Sequence, residues 1–453
     1  MSADVLAMES RGRYRPYPAY KDSGVEWLGE IPAHWDLKPV KHLTAFATGW
    51  TPPTGREDLY GGEHLWANIG DLGPKVLYTT ETTISDAAIR EARMRITRSG
   101  SLLFSFKLSV GTVSLAGADM YTNEAIASFA PSDRIDTGFL YWAAPVLVPH
   151  NAQDNIYGAP LLNRERIANA SLVSPPLPEQ RAIAAFLDRE TARIDALVAK
   201  EERLIELLQE KRTALITRAV TKGLDPNVPM KDSGVEWLGE IPAHWKVCAL
   251  RHVTLGGTRN GLYKSREYYQ PEGTPMIQMG EAFASPVVDR CANDRLNLTP
   301  AERSMWALEE GDLLFARRSL VFGGSGKCSI VGELPELHVF ESSLIRVRPN
   351  RNQIRPQFLF QFLQSAASRA QILAATKCVT ISGVDSQQIK ALDVLVPPSP
   401  EQQSIGHFIE AQGTQLDSLI RKIREAIDRL KELRTALISA AVTGKIDVRE
   451  EAA

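Results

Sequence analysis

Fifteen consecutive residues occur twice in this chain. Lys21–Trp35 and Lys231–Trp245 both read KDSGVEWLGEIPAHW, 210 positions apart. A second pair of segments repeats at a spacing of 222: PPLPEQRAIAAFL from Pro175 and PPSPEQQSIGHFI from Pro397, continuing through KRTALITRAVT (Lys211–Thr221) and LRTALISAAVT (Leu433–Thr443). Identity of this extent is far beyond chance, and internal duplication overrides any local reading of periodicity. The chain is a tandem repeat. Each half runs from an opening motif through a long middle region to a terminal segment, and the two middles share little sequence while differing in length by 12 residues.

The terminal segments carry the clearest secondary-structure signal. In the second, Ile409, Leu416, Ile423, Leu430 and Leu437 recur every seven residues, with Ile405, Leu419 and Leu433 in a companion register that also holds Gln412 and Ala426. The first copy keeps the pattern less strictly, through Leu187, Ile194, Leu208 and Leu215 with Ile183, Leu197 and Leu204, interrupted by Glu201 and Lys211. This is a heptad stripe. Pro178-Glu179 and Pro400-Glu401 place a proline and a carboxylate at the positive end of each helix dipole, and the helices are expected to stop near Gly223 and Gly444. A stripe of some forty residues must be covered, and the economical partner is the other copy. The prediction is an antiparallel coiled-coil pair in which Ile194, Leu197, Leu204, Leu208 and Leu215 pack against Ile409, Leu416, Leu419, Ile423, Leu430, Leu433 and Leu437, with a globular domain at each end.

The middles read as α+β. Ser101–Phe106 and Asp312–Ala316 have the short apolar composition of strands, and helices are expected over Ala87–Arg95, Ala301–Glu309 and Pro356–Leu373. The resulting plan is a pseudo-twofold repeat. It comprises an N-terminus (1–20) without fixed structure, a first globular domain (21–174), a first helix (175–222), a linker with the repeated opening motif (223–245), a second domain (246–396), a second helix (397–445) and a tail (446–453).

Composition adds limits. The 453 residues are about three times a typical domain of ~150. The 52 Lys+Arg against 54 Asp+Glu give a net charge of -2, so any nucleic-acid-binding surface must be local. Four widely spaced cysteines form no CxxC pair, the N-terminus has no apolar signal core, and no run of about 18 apolar residues occurs, so a cytoplasmic chain without membrane contact is expected.

Catalytic motifs fail on inspection. Phe322-Gly-Gly-Ser-Gly326 matches the FxGxG cradle of methyltransferases, but Val331-Gly-Glu-Leu-Pro335 follows where a helix is needed, and no Asn- or Asp-Pro-Pro-Tyr/Phe tetrad exists. Gly326-Lys-Cys-Ser329 resembles the end of a phosphate loop, yet Val321 stands at the first required glycine and Cys328 at the hydroxyl ligand. The histidines show no metal-binding spacing, and His34 and His244 read as packing residues. What remains is local cations suited to phosphates and base edges: Arg90, Arg93 and Arg95 with Arg98, then Lys107, and in the second half Arg317, Arg318 and Lys327, with Arg346, Arg348, Arg351 and Arg355 as a further group. Arginine clusters of this density are more often solvated or ion-paired than bound to DNA.

The frame is more specific than the charge. Two regions, each opened by GVEWLGEIPAHW and closed by PPLPEQRAI or PPSPEQQSI leading into a helix that ends KRTALITRAVTKG or LRTALISAAVTGK, resemble the specificity (S) subunit of type I restriction-modification systems. Thr48-Gly-Trp-Thr-Pro52, Tyr60-Gly-Gly62 and Gly311-Asp-Leu-Leu-Phe315 resemble signatures of that family's target-recognition domains, with Gly100-Ser-Leu-Leu-Phe104 a looser version and no clean TP…YGG counterpart between 256 and 275. The resemblance implies a non-catalytic subunit that reads a bipartite asymmetric sequence in double-stranded DNA with two recognition domains held apart by the helices. It implies two modification (methyltransferase) subunits and restriction (translocase/endonuclease) subunits as partners. S-adenosylmethionine, ATP and magnesium would then belong to those partners, with no cofactor or metal in this chain. Modification subunits are expected to dock on the helical pair, where Phe186, Val198, Phe408 and Ile420 lie outside the strict seam. The alternative is a non-catalytic coiled-coil scaffold for protein interactions.

Overall fold

The computed structural model describes residues 14–154, 160–319, 324–378 and 382–450. The chain divides into two units, Met1–Glu202 with Arg424–Ala453, and Arg203–Ile423. Each contains one middle region, one opening motif, the start of one long helix and the end of the other.

In the first unit, strands β1 (Phe46–Thr48), β2 (Tyr60–Ala67), β3 (Val76–Leu77), β4 (Thr82–Ile84), β5 (Leu102–Ser105), β6 (Val113–Ala116), β7 (Tyr121–Thr122) and β8 (Ile126–Phe129) form two sheets, ordered β1-β8-β5-β6-β3 and β7-β2-β4. Helix α1 (Asp86–Ala92) follows β4, α2 (Thr137–Leu147) packs on the five-stranded sheet, and α3 (Leu177–Lys222) is the first long helix. The second unit repeats this with β9 (Thr254–Asn260), β10 (Tyr269–Ile277), β11 (Val287–Val288), β12 (Arg295–Leu296), β13 (Leu313–Ala316), β14 (Cys328–Val331), β15 (Val339–Phe340) and β16 (Leu344–Pro349), ordered β9-β16-β13-β14-β11 and β12-β10-β15. Its helices include α4 (Pro300–Trp306), α5 (Pro356–Gln364) and the second long helix α6 (Ser399–Val442). Middles with little common sequence thus share one topology. The helix expected over Pro356–Leu373 is two helices, because Ser365 leaves the α conformation and caps the next one at Ser368 N–H, 3.3 Å away.

The repeated motifs meet each other. Trp35 and Trp245 are fully buried. The Trp35 indole N–H donates to Glu179 Oε1 at 3.0 Å and His34 Nε2 contacts Glu179 Oε2 at 2.8 Å; Trp245 and His244 grip the two oxygens of Glu401 at 2.9 and 2.6 Å. The glutamate of each Pro-x-Pro-Glu-Gln is therefore a bifurcated acceptor for the opening motif, and the two histidines, both partly exposed, are its partners rather than packing residues. The neighbouring glutamine closes the turn into the helix. Gln180 accepts from Asp136 N–H and donates to the Pro175 carbonyl, as Gln402 does with Arg355 and Pro397. At the helix ends the pairing is exchanged: Gly223, which ends α3, lies against Trp245, and Gly444, which ends α6, lies against Pro32 and Trp35. Lys222 donates to the Glu240 carbonyl and Lys445 to the Glu30 carbonyl, so the inverted letter orders TKG and TGK place a lysine at the same acceptor.

Residues 14–20, expected to lack structure, are packed. Tyr14 and Tyr17 are 7% and 3% exposed, and Arg15 O accepts from Asp447 N–H at 2.8 Å. Their aromatic area covers the opening motif of the first unit; residues 1–13 lie outside the described residues.

Within each unit the long helices run antiparallel. Arg434 pairs with Asp195 and Lys431 with Glu202 in the first, and Arg212 pairs with Asp417 in the second. Ile194, Leu208, Ile409, Leu416, Ile423 and Leu437 are buried, and Leu215, Leu430 and Leu433 are partly so. The companion register holds at its ends, where Ile183 and Ile405 are buried and Leu433 packs on the first core, and differs from expectation in its middle. Leu197, Leu204 and Leu419 are 41%, 40% and 42% exposed, whereas Ile420 and Ile427 are buried and Val198 packs on the first core. A heptad offers a neighbour at i+3 or i+4 for every first-register residue, and only the partner helix decides between them. Here i+4 is taken. Phe186 is also fully buried, so neither it nor Ile420 is free for docking. Ile420→Ala is expected to lower stability by about 2–5 kcal/mol in urea unfolding followed by circular dichroism, and Leu419→Ala by under about 1 kcal/mol.

Candidate nucleic-acid interface

In each domain one end of the five-stranded sheet collects the loops that carry candidate side chains. Strand register defines that end. Ser105 faces Ile126 and Thr48 faces Ala127, so the exits of β1 and β5 and the approaches to β6 and β8 lie together. In the second domain Ala316 faces Leu344 and Asn260 faces Ile345, which gathers the same four segments.

Lys107 stands exposed at this end of the first domain, its Nζ 5.9 Å from the Phe106 ring, beside Leu108, which is 93% exposed and has a left-handed backbone. Arg317, Arg318 and Lys327 occupy the matching end of the second domain. Arg317 N–H donates to Ser343 O, Arg318 pairs with Gly383, and Lys327 O accepts from Ala316 N–H, so the backbone holds all three in place. Arg318 and Lys327 are exposed and Arg317 is partly buried. The sequence candidates Lys107, Arg317, Arg318 and Lys327 therefore fall on structurally equivalent ground.

Arg90, Arg93 and Arg95 do not. They are exposed on α1 and its exit, where Arg93 ends the helix in a left-handed conformation, over the three-stranded sheet. Arg98 lies at the opposite end of the β5–β6 hairpin from Lys107 and is paired with Asp119. The later group is structural: Arg346 and Arg348 donate to the Ala307 carbonyl, Arg351 to the Glu310 carbonyl and Arg355 to Gln403.

Two glycine pairs explain the recurrent letters and supply the counterpart absent from residues 256–275. A Cβ on Gly49 would fall within 1.7 Å of the Thr122 carbonyl oxygen, and on Gly261 within 1.8 Å of the Glu341 carbonyl oxygen. Likewise Gly62 abuts Ile84 O and Gly273 abuts Leu296 O. In both domains a tyrosine, Tyr60 or Tyr269, starts the bulged strand. Backbone crossings are kept while TP and YGG are not. Immediately after Gly261 the chain presents Tyr263, 80% exposed, at the same end as Arg317, a residue that the sequence reading missed and that the glycine crossing would have located.

Gly326, by contrast, is a packing glycine whose Cβ would meet Ile372, and Cys328 and Ser329 are buried in β14, which is incompatible with a phosphate loop. Phe322 and Gly323 of the methyltransferase-like segment lie outside the described residues.

The second difference between the domains is inside the sheet. Asp312, 1% exposed, takes Arg348 in a two-point ion pair at 2.7 Å for each oxygen, while Arg348 also reaches Glu309. The equivalent positions in the first domain are Ser101 and Ala130, so acid and base have been exchanged as a pair.

Comparisons with known proteins agree with this arrangement. The family described as type I restriction modification DNA specificity domain matches residues 32–207 and again 242–429. The MjaIX specificity subunit of Methanocaldococcus jannaschii is 23% identical over 93% of this chain and 96% of its own, and the EcoKI specificity subunit of Escherichia coli K12 is 25% identical over 92% and 90%. Among solved structures, a chain from work on assembly and conformational transition of the type I R-M system superimposes with a TM-score of 0.67 at 14% identity, covering 91% of this chain and 98% of that one. The HsdS subunit of Thermoanaerobacter tengcongensis gives 0.55 at 16%, covering 92% and 98%. The chain belongs to the type I restriction modification DNA specificity family. It is a specificity subunit with two recognition domains in tandem, a non-catalytic component of such systems.

Arg348→Ala is expected to destabilise the second domain by about 3–5 kcal/mol, because Asp312 is left buried and unpaired. The double variant Arg348→Ala/Asp312→Ser, which copies the first domain, should regain most of that loss in urea titrations.

Proposed function

We propose that the two recognition domains read the two halves of a split, asymmetric target in double-stranded DNA through the loop ends described above. One observation carries the reading: both domains share a topology and a cation-bearing sheet end, yet the side chains they display there differ. One has Lys107 and Leu108; the other has Tyr263, Arg317, Arg318 and Lys327. Equivalent scaffolds with unlike tips suit unlike half-sites, since cations position the duplex while base-edge contacts specify it. In this reading the chain contributes recognition to an assembly whose modification subunits supply adenine methylation with S-adenosylmethionine and whose restriction subunits supply ATP-dependent cleavage. That division suits the net charge of -2, because partners can add to the electrostatic grip.

The modification subunits dock, on this proposal, at exposed helix positions. Those positions are not the ones first expected: Leu197 in the first unit, and Leu204, Leu207 and Leu419 in the second, each remain 40–45% exposed outside the seam.

Exchange of residues 36–174 for those of another family member should change one half of the methylated-adenine motif mapped in host DNA; a change in both halves would refute modular reading. In gel shifts with the modification subunits present, Arg318→Ala and Lys327→Ala should each weaken binding and lower the salt slope by about one if each meets a phosphate. A protein-interaction scaffold would show no such slope. Leu204→Asp with Leu207→Asp should leave helicity unchanged and abolish co-purification of the modification subunits.

A further inference from the structure

The β5–β6 hairpin of the first domain closes through residues 106–112, and hydrogen bonds fix its tip. Ser105 N–H donates to the Thr112 carbonyl at 2.9 Å, Gly111 N–H to the Ser105 carbonyl at 3.0 Å and Thr112 N–H to the Ser109 carbonyl at 3.2 Å, while the Ser105 hydroxyl donates to the Lys107 carbonyl at 3.0 Å. Apolar residues alternate along this tip. Phe106 is buried and Val110 packs on the first core, so apolar cover lies within reach on both sides of Leu108. Leu108 is nevertheless 93% exposed, more than any other large hydrophobic side chain among the described residues.

The conformation adds a second cost to the exposure. At φ 60° Leu108 occupies the left-handed region, where Cβ crowds the following carbonyl oxygen and glycine is the ordinary choice. Arg93 is the other non-glycine residue in that region among the described residues, and it ends a helix, where left-handed residues are common. Leu108 ends none. A leucine set in water on a strained, hydrogen-bonded turn, between exposed Lys107 and exposed Ser109, adds nothing to the core of its domain. Backbone strain of this kind gathers where a displayed side chain is used.

We propose that Leu108 is a specificity-determining residue of the first domain, packing on the C5 methyl of a thymine in the major groove. The inference rests on the reading of this sheet end as the DNA-facing one and deepens it. A two-stranded ribbon, with strands about 4.8 Å apart and side chains on either hand, fits a groove about 12 Å wide and is excluded from one about 6 Å wide. The tip therefore belongs to the major groove. Leucine has no hydrogen-bonding side-chain group, and the thymine methyl is the one apolar group that base edges display there. The exposed Lys107 alongside suits a neighbouring phosphate. The corresponding connection of the second domain, from Arg317 to Lys327, bears cations at both ends, so the methyl contact is assigned to the first domain's half-site alone.

The probe is duplex DNA carrying the chain's own methylated-adenine motif, bound by the full chain with its modification subunits. Each thymine outside the methylated pairs is replaced singly by deoxyuridine, which lacks only the methyl. One substitution, in the half-site that changes when residues 36–174 are exchanged, should weaken binding by about fourfold, the worth of one buried carbon. Leu108→Ala should bind the thymine duplex more weakly by at least as much and treat thymine and deoxyuridine alike at that position. Leu108→Gly, which relieves the backbone, should do the same without a fall in melting temperature. The proposal is overturned if no thymine in that half responds, if the response persists in both variants, or if Leu108→Gly melts lower than the parent, which would make the residue structural. Unchanged salt slopes in Arg318→Ala and Lys327→Ala would overturn the reading of the sheet end and this inference with it. Reduced slopes with no responsive thymine overturn this inference alone.

Discussion

The fold depends on one carboxylate per unit. Glu179 and Glu401 each accept from the buried tryptophan and the histidine of an opening motif, and each sits in the first turn of a long helix. A buried indole N–H without a partner costs about 1–3 kcal/mol, and a buried carboxylate without donors costs more. The geometry therefore joins helix to domain at a defined angle and rotation. The glutamine that follows fixes the same joint from the other side. With the joint set, the domains above it can diverge.

How far they diverge is visible in the sheets. The two domains keep strand order, two backbone crossings and the position of a bulged strand, and they replace nearly everything else. Even the inner salt bridge of the second domain is absent from the first, where Ser101 and Ala130 stand at its two positions. Paired replacement is what low-dielectric burial demands, since either partner alone would be strongly destabilising. The displayed loops at the sheet end answer to no such demand.

Much of the frame was legible because it is repeated: the domain order, the two long helices, their ends near Gly223 and Gly444, and the antiparallel pairing followed from matching segments and heptads. The middle of the companion register was not. Leu419 and Ile420 are adjacent apolar residues, as are Leu197 and Val198, and a single helix cannot say which of two neighbours its partner will cover. The opening histidines looked like packing residues because their acceptor lies more than a hundred residues away. The recognition-domain letters misled in the other direction. Gly261 and Gly273 do the work of Gly49 and Gly62 without the flanking Thr-Pro or Tyr-Gly, since the constraint is an approaching carbonyl rather than a motif. Of the cations, Lys107, Arg317, Arg318 and Lys327 could be placed on common ground only once strand register was known, and Arg90, Arg93 and Arg95 were grouped with them by charge alone.

The exchanged helix ends impose a schedule on synthesis. The pieces of the second unit, from Arg203 to Ile423, are contiguous, so that unit has all its parts soon after they emerge. The first unit is completed only when Gly444 reaches Trp35 and the segment Ile446–Val448 enters its core. At ordinary translation rates those residues arrive roughly 20–80 s after the opening motif they cover. For that interval the nascent first domain keeps an apolar face without its lid, and a chain released early would leave the earlier-made domain, rather than the later one, incomplete.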